Sequence, residues 1–304
     1  MWGINLSVFI DYIIIFLLSS IISGNNSTLI VGPLSSSGLI KKNYTTIFVS
    51  IFITLGFMME GGKMLFSISY ITSMDVVPLY ILVSSLILFI IFSFISVPLS
   101  AGMVFSGSIM GFALYYRSLS YSVLLIFISW VASFLISITF GYVIYKRISR
   151  GKVKVTGSRF IFFLFIFSSV FLSYTLGSNT LGFLYAISPD IWSYTAIISG
   201  IFFGTFLLKG FTYKTIKKSI VKLNRERAVV SQLSSSMVVE AFTQAHLPVS
   251  ITQGVLGSLI GTGLSKGYNE VNLSKVNQLI LSWVLTPLLS AFLVMVMIVI
   301  SPGL

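Results

Sequence analysis

Two short patterns hold most of the hydrogen-bonding side chains that could meet a ligand in an otherwise apolar chain. One sets glycine, asparagine and a hydroxyl close together, as in Gly24-Asn25-Asn26-Ser27 and Gly177-Ser178-Asn179-Thr180. The other places a serine two residues after a proline, as in Pro98-Leu99-Ser100 and Pro248-Val249-Ser250, the second running on to Thr252 and Gln253. Amides and hydroxyls donate and accept hydrogen bonds but are poor nucleophiles without an adjacent base. The sequence shows no Ser/His/Asp set, no glycine-rich phosphate loop and no metal-spaced cluster. There is no cysteine, so disulfide and thiol chemistry are excluded and the redox compartment is unreadable. Such groups suit anion binding instead. Where a helix is interrupted, its N-terminus offers unpaired N–H groups and partial positive charge, and several converging on one point hold an anion without a lysine. A small oxyanion is the ligand that best fits this set.

Plainer roles stand beside that one. Gly107-x3-Gly111 and Gly257-x3-Gly261 are ordinary close-packing motifs of membrane helices, and Asn26 and Asn179 could be interhelical hydrogen-bond glue. Three acids, Asp11, Glu60 and Glu240, fall in apolar surroundings, where a carboxylate is a candidate for binding a cation or proton. Glu60 lies three residues from Lys63 and could pair with it, and Asp11 reads as near a membrane surface. His246, the sole histidine, reads as a satisfied interfacial residue.

The elements that position these groups must sit in lipid. Hydrophobic residues make up 56% of the 304 and charged residues 9%, against roughly a quarter charged in a soluble domain. Mean hydropathy is +1.02. Long continuous apolar runs, rather than an alternating pattern, predict helices and not a barrel. The expected fold is an all-α polytopic membrane protein with about ten to twelve membrane segments, some broken or re-entrant. The run Ile4 to Ile22 lacks a basic start and a small-residue cleavage site, so it reads as a retained helix rather than a signal peptide. Thirteen of the 19 basic residues fall in two loops, 146–159 and 209–227. Such loops are placed in the cytoplasm by the positive-inside rule and touch anionic lipid, so the +12 formal charge gives no case for nucleic acid.

The paired patterns recur in one order with small drift in register. Ile128-Ser129-Trp130-Val131 matches Leu281-Ser282-Trp283-Val284 as a third pair. A duplication follows, with an N-terminal membrane repeat over 1–155 and a C-terminal one over 156–304. The basic 209–227 loop corresponds to 59–77, which carries Glu60, Lys63 and Asp75. That difference in charge favours repeats of inverted topology, with their site near the midplane. The two patterns then supply four candidate helix breaks, two per repeat.

On these residues the chain resembles the inorganic phosphate transporter (PiT) family, whose repeats carry a Gly-Ala-Asn-Asp type and a Pro-Val-Ser-Thr-x-His type signature. The resemblance runs over nearly the whole chain apart from the basic loops. It implies a multi-pass protein of the cell membrane carrying an oxyanion by alternating access, driven by sodium ions or protons and needing no other cofactor. Carried over by position, Asn26, Asn179, Ser100, Ser250 and Thr252 are the implied ligands, with Ser27, Thr180 and Gln253 completing the binding set. Both signature aspartates are replaced, by Ser27 and Thr180, and Met103 and Gln253 stand where the family has histidine. Glu60 and Glu240 are then the candidates for a coupling ion. The family implies inorganic phosphate. Hydrogen phosphate brings a proton that wants an acceptor and sulfate brings none, so the lost carboxylates leave sulfate, which some relatives carry, as the alternative. Beside the lipid bilayer the expected partners are the anion and, as an open option, further copies of the chain. A membrane-embedded enzyme or a non-transporting scaffold is the competing class.

Overall fold

The computed structural model describes residues 6–36, 42–95, 99–150, 158–207 and 220–302. Among them the chain is helical apart from turns and one isolated bridge, Thr72 to Leu119. In hydrocarbon every backbone N–H and C=O must be satisfied within its own segment, so apolar stretches of this length become helices. In the first half these are α1 (Leu6–Ser36), α2 (Lys42–Glu60) with a 3-10 extension over Gly61–Tyr70, α3 (Pro78–Ile95), α4 (Ala101–Tyr115) and α5 (Val123–Ser149). The second half has α6 (Ser158–Thr175), a π-helical segment (Leu176–Leu181), α7 (Gly182–Ile187), α8 (Ile191–Leu207), α9 (Arg225–Gln244), α10 (Ile251–Leu264) and α11 (Leu273–Ile300). Five stretches are long and apolar enough to cross a membrane: Phe9–Val31, Tyr44–Tyr70, Val123–Ser149, Phe160–Ile187 and Leu273–Ile300. At 1.5 Å per residue α4 and α10 reach only about 20 Å, short of a hydrocarbon core of roughly 30 Å. Both therefore have an end inside the protein.

The starts of α4 and α10 are built alike. Ser100 and Ser250 adopt extended backbone (φ −94°, ψ 111° and φ −96°, ψ 118°), and their side chains accept from the N–H of Met103 and Gln253. These are serine N-caps, expected where helical geometry starts. Val97 and Pro98 lie outside the described residues. Arg117 and His246 take up left-handed backbone (φ 53° and 59°) at the ends of α4 and α9. At each the next residue reaches back to close the helix, Ser118 N–H to Ala113 O at 2.8 Å and Leu247 N–H to Phe242 O at 2.9 Å.

The Gly-Asn-hydroxyl pattern behaves differently from expectation. At Gly24-Asn25-Asn26-Ser27 there is no break: α1 runs through it. The polar side chains there bond back to their own helix, Asn26 Nδ2 to Ile22 O at 2.9 Å, Ser27 Oγ to Gly24 O at 3.2 Å and Thr28 Oγ1 to Asn25 O at 2.6 Å. Groups that could have interrupted the helix are thus satisfied within it. The partner pattern Gly177-Ser178-Asn179-Thr180 gives a π-helical turn, a local widening rather than a gap.

The helices pack in pairs that recur when the halves are exchanged. α1 lies on α8 as α6 and the π segment lie on α2; α5 lies on α10 as α11 lies on α4; α3 joins α1 and α4 as α9 joins α6 and α10. Glycines set the closeness of these crossings. A Cβ on Gly111 would stand 2.3 Å from Ala291 O, and one on Gly261 would stand 2.0 Å from Ile138 O. Both glycine motifs are packing surfaces here, which accounts for them without a ligand.

Candidate anion site at two helix N-termini

The start of α4 meets the segment leading into α10: a Cβ on Gly102 would lie 3.5 Å from Val249 O. Two capped N-termini, each with first-turn N–H groups beyond the reach of its helix, are thereby brought together in the interior. Ser100 and Ser250 are both buried. α1 approaches the same place, because Thr252 Oγ1 donates to Asn26 Oδ1 at 3.2 Å.

Asn179 holds this assembly from the other side. Its Nδ2 donates to Thr243 Oγ1 at 2.9 Å and to Leu247 O at 3.2 Å, and its Oδ1 accepts from Val249 N–H at 3.2 Å. The π turn presents the amide to three groups on α9 and on the chain entering α10. In this structure Asn179 positions the Pro248-Val249-Ser250 segment, with both amide ends engaged. Thr180 is buried beside it in the π segment, and Ser27 is buried with its hydroxyl bonded inside α1. Gln253 sits apart from Thr252. It lines a cavity between α5 and α11, together with its counterpart Met103.

One serine that the sequence patterns left out, Ser235, also lies here. Ser23 of α1 and Ser234 and Ser235 of α9 are buried with hydroxyls lacking partners among the described residues. Ser235 packs against the first turn of α10, its Oγ 2.5 Å from where a Cβ on Gly254 would be. The triplet Ser234-Ser235-Ser236 in a membrane segment was the available signal, but serines scattered through apolar helices commonly bond to the preceding turn, as Ser236 does to Gln232 O at 2.7 Å.

The two glutamates come together. Lys63 Nζ lies 3.2 Å from Glu60 Oε1. Gln244 Nε2 donates to Glu60 Oε2 at 2.8 Å and to Glu240 Oε1 at 2.5 Å, and Ser178 Oγ donates to Glu240 Oε2 at 3.2 Å. The network ties the end of α2 to the end of α9 and, through Ser178, to the residue beside Asn179. Lys63 balances Glu60, and Glu240 has no salt-bridge partner among the described residues. His246 is satisfied, its Nδ1 2.9 Å from Lys63 O and its ring against Phe66. Asp11 is buried, and its Oδ1 has no partner among the described residues.

Short helices that meet at capped N-termini inside a bundle of membrane-spanning helices have the discontinuous-helix architecture of membrane carriers. The chain belongs to the Phosphate transporter family (PHO4), whose family pattern matches residues 22–294. It is a multi-pass integral membrane protein, and the cell membrane is the usual location of that family. A protein of Methanocaldococcus jannaschii named "Putative phosphate permease" is 26% identical over 293 residues, covering 94% of this chain and 95% of its own. The sulfate permease CysP of Bacillus subtilis is 25% identical over 281 residues, covering 86% and 78%. Among solved structures, a sodium-dependent phosphate transporter superposes with a TM-score of 0.80 at 18% identity, covering 95% of this chain and 97% of that one. At that identity the likeness carries the fold.

Proposed function

We propose that the protein carries inorganic phosphate across the cell membrane by alternating access, and that it is not an enzyme. The anion binds where the N-termini of α4 and α10 meet α1. The observation that carries this reading is the pair of buried serine caps, Ser100 and Ser250, brought together on two short helices. Phosphate oxygens would be held by first-turn N–H groups of both helices and by the hydroxyls and amide of Ser100, Ser250, Thr252 and Asn26, with Ser27 and Thr180 close by. Asn179 shapes the site. The family and the names of the relatives support phosphate as the substrate.

The two halves, 1–155 and 156–304, form repeats of inverted topology. Supporting this, Glu60 and Lys63 sit at the Gln244 end of α9, whereas Lys222, in the loop equivalent to theirs, precedes its other end. Twenty helical residues separate those ends by about 30 Å. Glu60 and Glu240, one from each half, take up the coupling cation, a sodium ion or a proton, in place of the aspartates that this chain lacks.

Purified protein in liposomes, given labelled phosphate or labelled sulfate with a sodium gradient, a proton gradient or neither, tests all of this. Phosphate uptake driven by one gradient is expected, and Glu240→Gln should abolish the dependence on that gradient. Sulfate taken up in preference to phosphate would favour the second reading, which rests on Ser27 and Thr180 replacing acids and on the likeness to a sulfate permease. No uptake of either anion by correctly inserted protein would overturn transport.

A further inference from the structure

Ser250 stands at the N-terminus of α10, and the other end of that helix is held in a clasp. Its last turn is wedged between the chain entering α9 and the turn before α11: a Cβ on Gly263 would stand 2.7 Å from Val271 and 3.0 Å from Val221. One backbone bond ties those two segments, Asn272 N–H donating to Ile220 O at 2.9 Å. Arg227 supplies the rest. Its guanidinium donates from Nη1 to Lys222 O at 2.7 Å and from Nη2 to Glu270 Oε2 at 2.9 Å, and lies 5.4 Å from the centre of the Tyr145 ring of α5. Arg227 is 5% exposed, and its Nε has no partner among the described residues. Exchange of halves leads to the chain entering α3 and the turn between α4 and α5, where the tie is neutral. Ser73 N–H donates to Ser118 O at 3.0 Å, Ser120 N–H donates to Ile71 O at 2.9 Å, and the hydroxyls of Thr72 and Ser118 lie 2.9 Å apart.

We propose that the clasp of Arg227 and Glu270 is a gate: it parts to let the end of α10 and the 268–272 turn leave α9, opening the anion site to the membrane face where α9 begins. This rests on the transport reading above, and the structure holds the gate shut. A buried arginine is a poor choice for a fixed contact, because apolar residues of similar volume hold a fold as well and leave no donor unpaired. It suits a contact that must part and re-form. Separated, both ions are taken up by water, whereas parted apolar faces stay costly to wet. The mechanical link is direct, since the helix gripped at one end by the clasp carries a serine cap of the anion site at the other.

The test locks the gate in full-length protein in liposomes. Ile220→Cys and Asn272→Cys together, joined by a short, reducible bis-methanethiosulfonate, should lose nearly all uptake of labelled phosphate or sulfate and regain it on reduction. Unchanged uptake after complete crosslinking overturns the gate and leaves transport standing, because the reduced pair reports transport by itself. No uptake of either anion by the unaltered protein overturns the transport reading, and the gate with it. A second measurement needs neither the crosslink nor uptake. Ser258 of α10 is fully buried, its hydroxyl 3.5 Å from Val230 O, about one turn of α9 inward from Arg227. A membrane-impermeant methanethiosulfonate should label Ser258→Cys slowly, and adding Glu270→Gln should raise that rate roughly fivefold, the weight of one partly exposed ion pair. An unchanged rate would equally overturn the gate.

Discussion

Asn179 and Ser250 show how one polar side chain in a membrane interior can serve position or ligand. Asn179→Ala removes three hydrogen bonds and strands Leu247 O and Val249 N–H in a buried place. Leaving such groups unpaired costs about 1–3 kcal/mol each, so a thermal melt of the solubilised protein should show a clear loss of stability along with loss of uptake. Ser250 separates the two roles more finely. Glycine is nearly as good an N-cap as serine, whereas alanine costs about 1 kcal/mol. Ser250→Gly is expected to melt near the unaltered protein and yet fail to take up phosphate. Normal uptake by that variant would remove its hydroxyl from the site. Asn26→Ala should likewise abolish uptake and leave membrane insertion intact, with normal rates counting against the site.

At the scale of elements, the fold depends on how closely helices from opposite halves approach. Gly261 of α10 faces Ile138 O of α5 with no room for a methyl group, whereas Gly62 has nothing within 4 Å of its missing Cβ. Gly261→Val should therefore shift the size-exclusion profile to aggregate or abolish expression, and Gly62→Ala should elute like the unaltered protein. The starts of α4 and α10 were legible beforehand, because a proline two residues ahead of a serine and a following Gly-x3-Gly stretch signal a helix start and a packing face together; their short length was not. The first Gly-Asn-hydroxyl stretch was misleading. Its composition reads as a break, but Asn26, Ser27 and Thr28 each found an acceptor within the same helix. Whether a polar side chain bonds to its own turn or to a neighbour depends on what packs beside it, and composition does not carry that.

For the whole molecule the decisive property is how the halves are oriented. The chain has no native cysteine, so single cysteines report cleanly. Ser69, in the 3-10 extension of α2, and Lys222, ahead of α9, are both exposed, and the proposed repeat makes their segments equivalent. A membrane-impermeant maleimide should reach Ser69→Cys from one face of the membrane and Lys222→Cys from the other. Labelling of both from the same face would rule out inversion, whatever the transport data show.

The sequence by itself determined that this chain lives in lipid, that it is helical, that its polar patterns recur, and that the second pattern begins helices. These follow from local rules: the cost of unpaired backbone in hydrocarbon and the conformational limits set by proline and by serine caps. Only the tertiary structure decided that Asn179 clasps the chain entering α10, that Glu60 and Glu240 share one amide, and that Gln253 faces an apolar cavity while its neighbour Thr252 faces Asn26. In a helix, adjacent residues point about 100° apart, so the surroundings of each depend on which helices lie alongside. That arrangement is fixed by packing between residues far apart in the chain.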